Sequence, residues 1–206
     1  MSLATVDIPE QAHVLLSADT RNNGLAITLF LIPEQTGWKV QGFWLNVSTL
    51  GNKDSFQLLE AARKQEQQGH NFNATVLLAA AGQLSGRGLN FQLALTDTIA
   101  QEFARLGRPA ELSGEAPFLW RNGDVTWKVL NVGAIAIGGK IYLMISHEVG
   151  PIQTEDQVDG WNKQLLTYFK GRNPEYADIF DGLVASANER GTTREFRTID
   201  EVIAPK

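Results

Sequence analysis

The sequence predicts an α+β fold: antiparallel sheet segments (an N-terminal meander and C-terminal hairpins) packed against a central helical block and C-terminal helices. Three observations lead there. Residues 12–50 alternate at the two-residue period of strands, residues 54–107 switch to a helical period, and residues 108–206 return to strands and then helices. This order lacks the strict strand–helix alternation of a doubly wound parallel sheet. With 206 residues the chain has room for about one or two domains. It divides at the turn-rich stretch 107–115 into residues 1–107, a meander plus three helices, and residues 108–206, hairpins plus two helices. The two parts are expected to share one core.

Each element has a local reason. Residues 13–19 form a short strand, and Asn22-Asn23-Gly24 supplies the turn after it, since Asn and Gly tolerate positive φ. Strand 25–32 places Leu25, Ile27, Leu29 and Leu31 on one face and Ala26, Thr28, Phe30 and Ile32 on the other. Apolar residues on both sides predict cover on both. After a turn at 33–37, strand 38–46 sets Lys39 and Gln41 against Trp38, Val40 and Trp44. Asp54 or Ser55 caps a helix with Phe56, Leu59 and Ala62 on its inner face, and Gly69 ends it.

A second helix over 73–84 carries Ala74, Leu77, Leu78 and Ala81, and a third over 91–106 carries Leu95, Ile99, Phe103 and Leu106. Hairpins at 118–130 and 132–147 turn at 121–124 and at Gly138-Gly139. Thr154 caps a helix to about residue 170, with Val158, Trp161, Leu165, Leu166 and Phe169 facing the core. Pro174 opens a last helix with Tyr176, Ile179, Phe180, Leu183 and Val184 as its stripe, and residues 190–206 read as a polar tail. Phe56, Leu59, Leu77 and Leu78 are expected to cover one sheet. Trp161, Leu165 and Phe169 are expected to cover the other, or a shared one.

Ala62, Gly69, Ala74, Leu78 and Ala81 fall at the small, turn, small, large and small positions of a tetratricopeptide repeat. Residues 54–85 therefore resemble a single tetratricopeptide-like (TPR-like) helical hairpin. Leu78 stands where that family has an aromatic, and no second copy follows, although such arrays normally need about three units. Gly37-Trp38-Lys39-Val40-Gln41-Gly42-Phe43 is similar to the closing strands of nuclear-transport-factor-2-like domains, whose preceding helices are missing here.

Composition narrows the chemistry. A net charge of −5 argues against a general nucleic-acid binder, which needs a basic stripe to displace counterions from phosphate. Zero cysteines remove disulfides, thiol nucleophiles and Cys–zinc sites. Residues 82–88 have spaced glycines but follow a helix and lack the Lys-Ser/Thr of a phosphate loop. His13, His70 and His147 are far apart, and none has a partner at metal-ligand spacing. No metal and no cofactor are expected. His147, Glu148 and Asp159 are the candidate catalytic residues, although adjacent strand residues point to opposite faces. Trp120 and Trp127, near a hairpin turn, are expected in the core, with the lining of a groove for a peptide or sugar as the alternative.

No run approaches the ~20 apolar residues needed to span a bilayer, so no integral membrane segment is expected. No charged-then-apolar leader is visible, and Met1-Ser2-Leu3 reads as a vector remnant. A soluble protein of bacterial type follows, either cytoplasmic or exported with its signal removed. Two functional readings remain. One is a non-enzymatic binding or scaffold module, holding a protein or peptide partner between its sheet and the helical hairpin. The other is a small hydrolase or lyase around His147, Glu148 and Asp159, which requires these groups to converge in a concave pocket.

Overall fold

The computed structural model describes residues 10–19, 24–88, 93–112, 115–151 and 154–202. The chain is α+β. Its first three strands, β1 (Ala12–Asp19), β2 (Gly24–Glu34) and β3 (Gly37–Val47), form an antiparallel sheet in sequence order. The turn expected at 22–24 lies largely outside the described residues. Two short strands, β4 (Thr49–Leu50) and β5 (Lys53–Asp54), then lead into the helices.

Helix α1 (Ser55–Gln67) starts at Asp54, whose carboxylate accepts from the Gln57 amide while the Gln57 side chain accepts from the Asp54 amide. This reciprocal pair satisfies two amide donors that the first helical turn would otherwise leave open. Gly69, at φ +83°, reverses the chain into α2 (Asn71–Ser85). Helix α3 (Ala94–Leu106) is fastened to α1 by Arg63–Glu102 and by a two-pronged Arg105–Glu66 pair at 2.6 Å. The expected start of α3 at Phe91 lies outside the described residues.

The second sheet has five strands in the order β10-β9-β8-β7-β6. Strands β6 (Phe118–Asn122), β7 (Val125–Ile137) and β8 (Lys140–Val149) run antiparallel. Helix α4 (Glu155–Arg172), with Thr154 as its cap, then carries the chain across to β9 (Gly182–Glu189), which pairs with β8 in parallel. Edge strand β10 (Glu195–Glu201) closes the order.

Here the sequence reading needs two corrections. The last helix is only a short 3-10 turn over Pro174–Asp178. Leu183 and Val184 belong to β9, a run of small and apolar residues flanked on both sides by strands, and that composition suits a buried parallel strand. The polar tail is also a strand, because the alternation of Phe196, Thr198 and Asp200 with Arg197 and Ile199 fits one covered and one open face.

One hydrophobic cluster runs through both halves of the chain. It joins Leu58, Leu59, Leu77 and Ala81 of the helical hairpin to Val129, Leu143 and Ile145 of the five-stranded sheet and to Leu165 and Phe169 of α4. Leu59, Leu77 and Leu78 are buried in it, whereas Phe56 points to solvent. Phe72 of α2 meets Phe169 of α4 with ring centroids 5.3 Å apart, so both helices lie over the same side of that sheet. Gly51, at φ +53°, tucks the β4–β5 turn against Ile141, where an added Cβ would sit 2.2 Å from its Cγ1.

Candidate functional site

Three places bear on function: the polar cluster at His147, the tryptophans beside α4, and the outer face of the three-stranded sheet.

His147 sits opposite Val129 in the five-stranded sheet and points toward α4, where its ring is buried. Its Nε2 lies 2.7 Å from Asn162 Oδ1. The Asn162 amide nitrogen donates to the Phe196 carbonyl at 3.3 Å and to Thr198 Oγ1 at 3.1 Å, and Thr198 donates to Asp159 Oδ1 at 2.9 Å. Because the Asn162 nitrogen is committed to acceptors, its oxygen must be the acceptor for His147, which places the proton on Nε2. The chain of donors thus runs outward from the core to the surface carboxylate. Burial pushes the His147 pKa below its ordinary value, against a smaller opposing effect of the Asn162 bond. Asp159 is held low by Lys163 and by the Thr198 hydroxyl.

Of the candidate catalytic residues, His147 and Asp159 are therefore linked through Asn162 and Thr198, while Glu148 is not part of the set. Glu148 projects from the opposite face and pairs with Lys128 at 3.2 Å. The arrangement staples α4 to β8 and β10. It gives the imidazole an amide neighbour in place of a carboxylate, and that single bond offsets only part of the burial that disfavours an imidazolium.

Trp120 and Trp127 pair across β6 and β7 and are both buried, and Trp127 still forms part of the lining of a groove beside α4. Trp120 stacks on Phe169 at 5.9 Å and donates to the Glu111 carbonyl at 2.9 Å, and Trp127 lies 5.1 Å from the Tyr168 ring. An indole with a partner for its N–H and an aromatic neighbour is a core residue by its contacts. A shallow groove of about 930 Å³ runs above them between the β6–β7 turn and α4, with Arg121, Lys163, Tyr168 and Arg172 on its walls. His147, Glu148 and Asp159 do not line it. Among the described residues no group of His, Asp and Glu side chains could hold a metal ion, and no helix is long and apolar enough to cross a membrane.

The three-stranded sheet is anchored on its inner side. The Asn46 side chain donates to the Gln83 and Gly86 carbonyls at the C-terminal end of α2, at 2.8 and 3.1 Å, satisfying acceptors that the helix end leaves open. Gly88, at φ +111°, passes so close to the sheet that a Cβ would lie 3.0 Å from Phe30 and 3.3 Å from Trp44. Gly86 and Gly88 thus lie directly against the inner face of this sheet.

The outer side is the opposite. Cross-strand pairing puts Ala12, Val14, Leu16 and Ala18 of β1 beside Leu31, Leu29, Ile27 and Leu25 of β2. On the far side β2 is flanked by Val40, Phe43, Leu45 and Val47 of β3. Every one of these positions is apolar, and Phe43 is 71% exposed, Leu45 55% and Leu16 47%. A bulge between Phe30 and Leu31 makes this possible. Gln41 is the extra residue in β3, and it shifts the alternation by one. Trp44 therefore joins the inner face with Lys39, whereas strict alternation had grouped it with Trp38 and Val40. The sequence showed the apolar alternation of β2. It predicts cover on both sides, and the outer side is instead open at Leu16, Phe43 and Leu45.

The water-facing side of the five-stranded sheet exposes Leu119 and Ile199 but carries ion pairs among them. On the side of the five-stranded sheet away from the helices, Lys128 pairs with Glu148, Glu195 with Arg197 at 2.8 Å, and Lys140 with Glu201 at 3.3 Å. Tyr142 donates to Glu201 there at 2.7 Å.

Comparison with known family models, with curated proteins and with solved structures finds no match for this chain.

Proposed function

We propose that the protein is a non-enzymatic binding or scaffold module that docks a protein partner on the outer face of its three-stranded sheet. The observation that carries this reading is the charge-free face itself, with Phe43, Leu45, Leu16 and Val40 all open to solvent on one continuous surface. Contiguous apolar surface of this extent marks interaction sites, because leaving it in water forgoes roughly 25 cal/mol for each Å² that a partner would cover. A hydrolase or lyase centred on His147 has less support. The ring lies in the sheet–helix core and leads to an amide, and the groove beside α4 does not reach it.

The test is site-specific photo-crosslinking in the source cells, with a benzophenone side chain replacing Phe43 on the face or Phe56 on α1, which is also exposed. A discrete protein adduct from position 43 and none from position 56 is expected. Equal background from both positions would sink the reading.

A further inference from the structure

We infer that the occupant of the outer face is a second copy of this chain, joined sheet to sheet about a two-fold axis. The inference rests on the reading of that face as a docking surface and names its partner. Four features of the face support it.

First, the face is self-complementary in chemistry. An isologous interface must match itself, so any charge on it meets its own like or needs a partner elsewhere on the patch. Here β1, β2 and β3 present no ionisable side chain on that side. Second, the face is graded in thickness. Its β1 edge carries Ala12, Val14, Leu16 and Ala18, while its β3 edge carries Val40, Phe43, Leu45 and Val47. A two-fold axis parallel to β2, lying between the sheets, sets the thin β1 edge of each copy against the thick β3 edge of the other. The same axis brings Leu29 opposite Leu29 of the second copy. Two such sheets pack in the aligned manner of a β-sandwich, ~10 Å apart.

Third, the size is adequate. Strands β2 and β3 have 11 residues each. At ~3.3 Å per residue and ~4.8 Å between strands the sheet is roughly 35 by 14 Å. With the relief of its side chains, its accessible area is of the same order as the ~800 Å² per partner of a standard interface. Fourth, the charge lies elsewhere. The chain carries a net −5, but the ionised pair nearest this sheet, Lys39–Glu34 at 3.0 Å, belongs to its inner side. Two copies can meet on this face without bringing like charges into contact.

The experiment uses the full chain and its lack of cysteine, which makes any introduced thiol the only one. Sedimentation equilibrium between about 1 and 100 µM should give twice the chain mass, passing toward the monomer as Kd is crossed. Phe43→Lys with Leu45→Lys should give the monomer at every concentration with unchanged circular dichroism, and Phe56→Lys should leave the dimer intact. Because the double variant could fail to fold, Leu29→Cys supplies an independent reading. A short bifunctional thiol reagent that spans the ~10 Å between facing sheets, too wide a gap for a direct disulfide, should link it to a covalent dimer, while Phe56→Cys should stay largely monomeric. A monomeric wild type, a dimer that survives the double substitution, or a Leu29→Cys chain that does not cross-link would each overturn the proposal. A monomer that still yields a discrete foreign adduct from position 43 in cells would remove the second copy and leave the docking reading standing. A monomer with no such adduct would remove both.

Discussion

The two sheets of this protein solve the same problem differently. The five-stranded sheet buries one face under α2 and α4, where Leu143, Ile145, Leu165 and Leu183 lose all contact with solvent, and it covers the other with ion pairs. The three-stranded sheet anchors its mixed face, with Thr28 and Asn46, to the end of α2, leaves Leu15 and Trp44 on that face partly exposed, and turns its purely apolar face outward. Since one chain makes both, the difference is informative. A strand with one face in water alternates apolar with polar, as edge strand β10 of the first sheet does in its burial. The second inverts that arrangement.

The contrast can be broken or sharpened by substitution. The largest effect is expected in the helix-covered core. Leu165→Ala should destabilise the chain by ~2 to 5 kcal/mol in urea unfolding, because α4 cannot collapse into the space left between Phe169 and the sheet. A loss under ~1 kcal/mol would mean that this core is less closely filled than the burial shows. Next comes Asn162→Leu, which leaves the His147 Nε2–H and the Phe196 carbonyl without their partner. It should cost ~1 to 3 kcal/mol and loosen β10 selectively, read as faster amide exchange at 195–201 than elsewhere in the sheet.

Acid should act on the same region. With its pKa pushed below 6.5 by burial, His147 resists protonation in the folded chain while the unfolded chain accepts the proton readily. Its contribution to stability is therefore complete above about pH 6.5 and is lost as pH falls below that value, by at most ~1.4 kcal/mol per pH unit. Urea midpoints measured from neutral to mildly acidic pH should fall with that sense, and His147→Gln should flatten the slope. The smallest effect belongs to the outer face. Phe43→Ser, measured on dilute protein, should change the stability of the single chain by no more than ~0.5 kcal/mol, since its ring has little to lose. A cost comparable to that of Leu165→Ala would show the face to be covered within the chain.

Much of this was legible in the sequence, for reasons that individual residues make plain. The Asp54 cap, the Gly69 reversal and the Thr154 cap are local chemistry, and the structure has them where local chemistry puts them. Leu183 and Val184 were misread because a short apolar run fits either a helix stripe or a buried strand, and only their neighbours in the sheet decide. Asn162 was overlooked although it left a signal. It stands four residues after Val158 and four before Leu166, so a polar side chain occupies the inner stripe of α4 and must find partners there. The open face runs against the cover that apolar residues on both sides of β2 predict. Alternation tells which residues share a side, but not whether anything covers that side.

The bulge in β3 has a consequence for changes of chain length. Removing Gln41 should straighten the strand and keep Gly42 opposite Phe30 and Val40 opposite Leu31, so both faces retain their residues. Removing Val40 shortens the strand equally, yet it brings Gln41 into the place opposite Leu31 and sets an amide among the leucines. Two deletions one residue apart, identical in length and nearly so in composition, should thus differ in solubility and self-association. The first is silent and the second is not. Tolerance to insertion and deletion along this strand follows the phase of its pleat, and its one point of slack lies at the bulge.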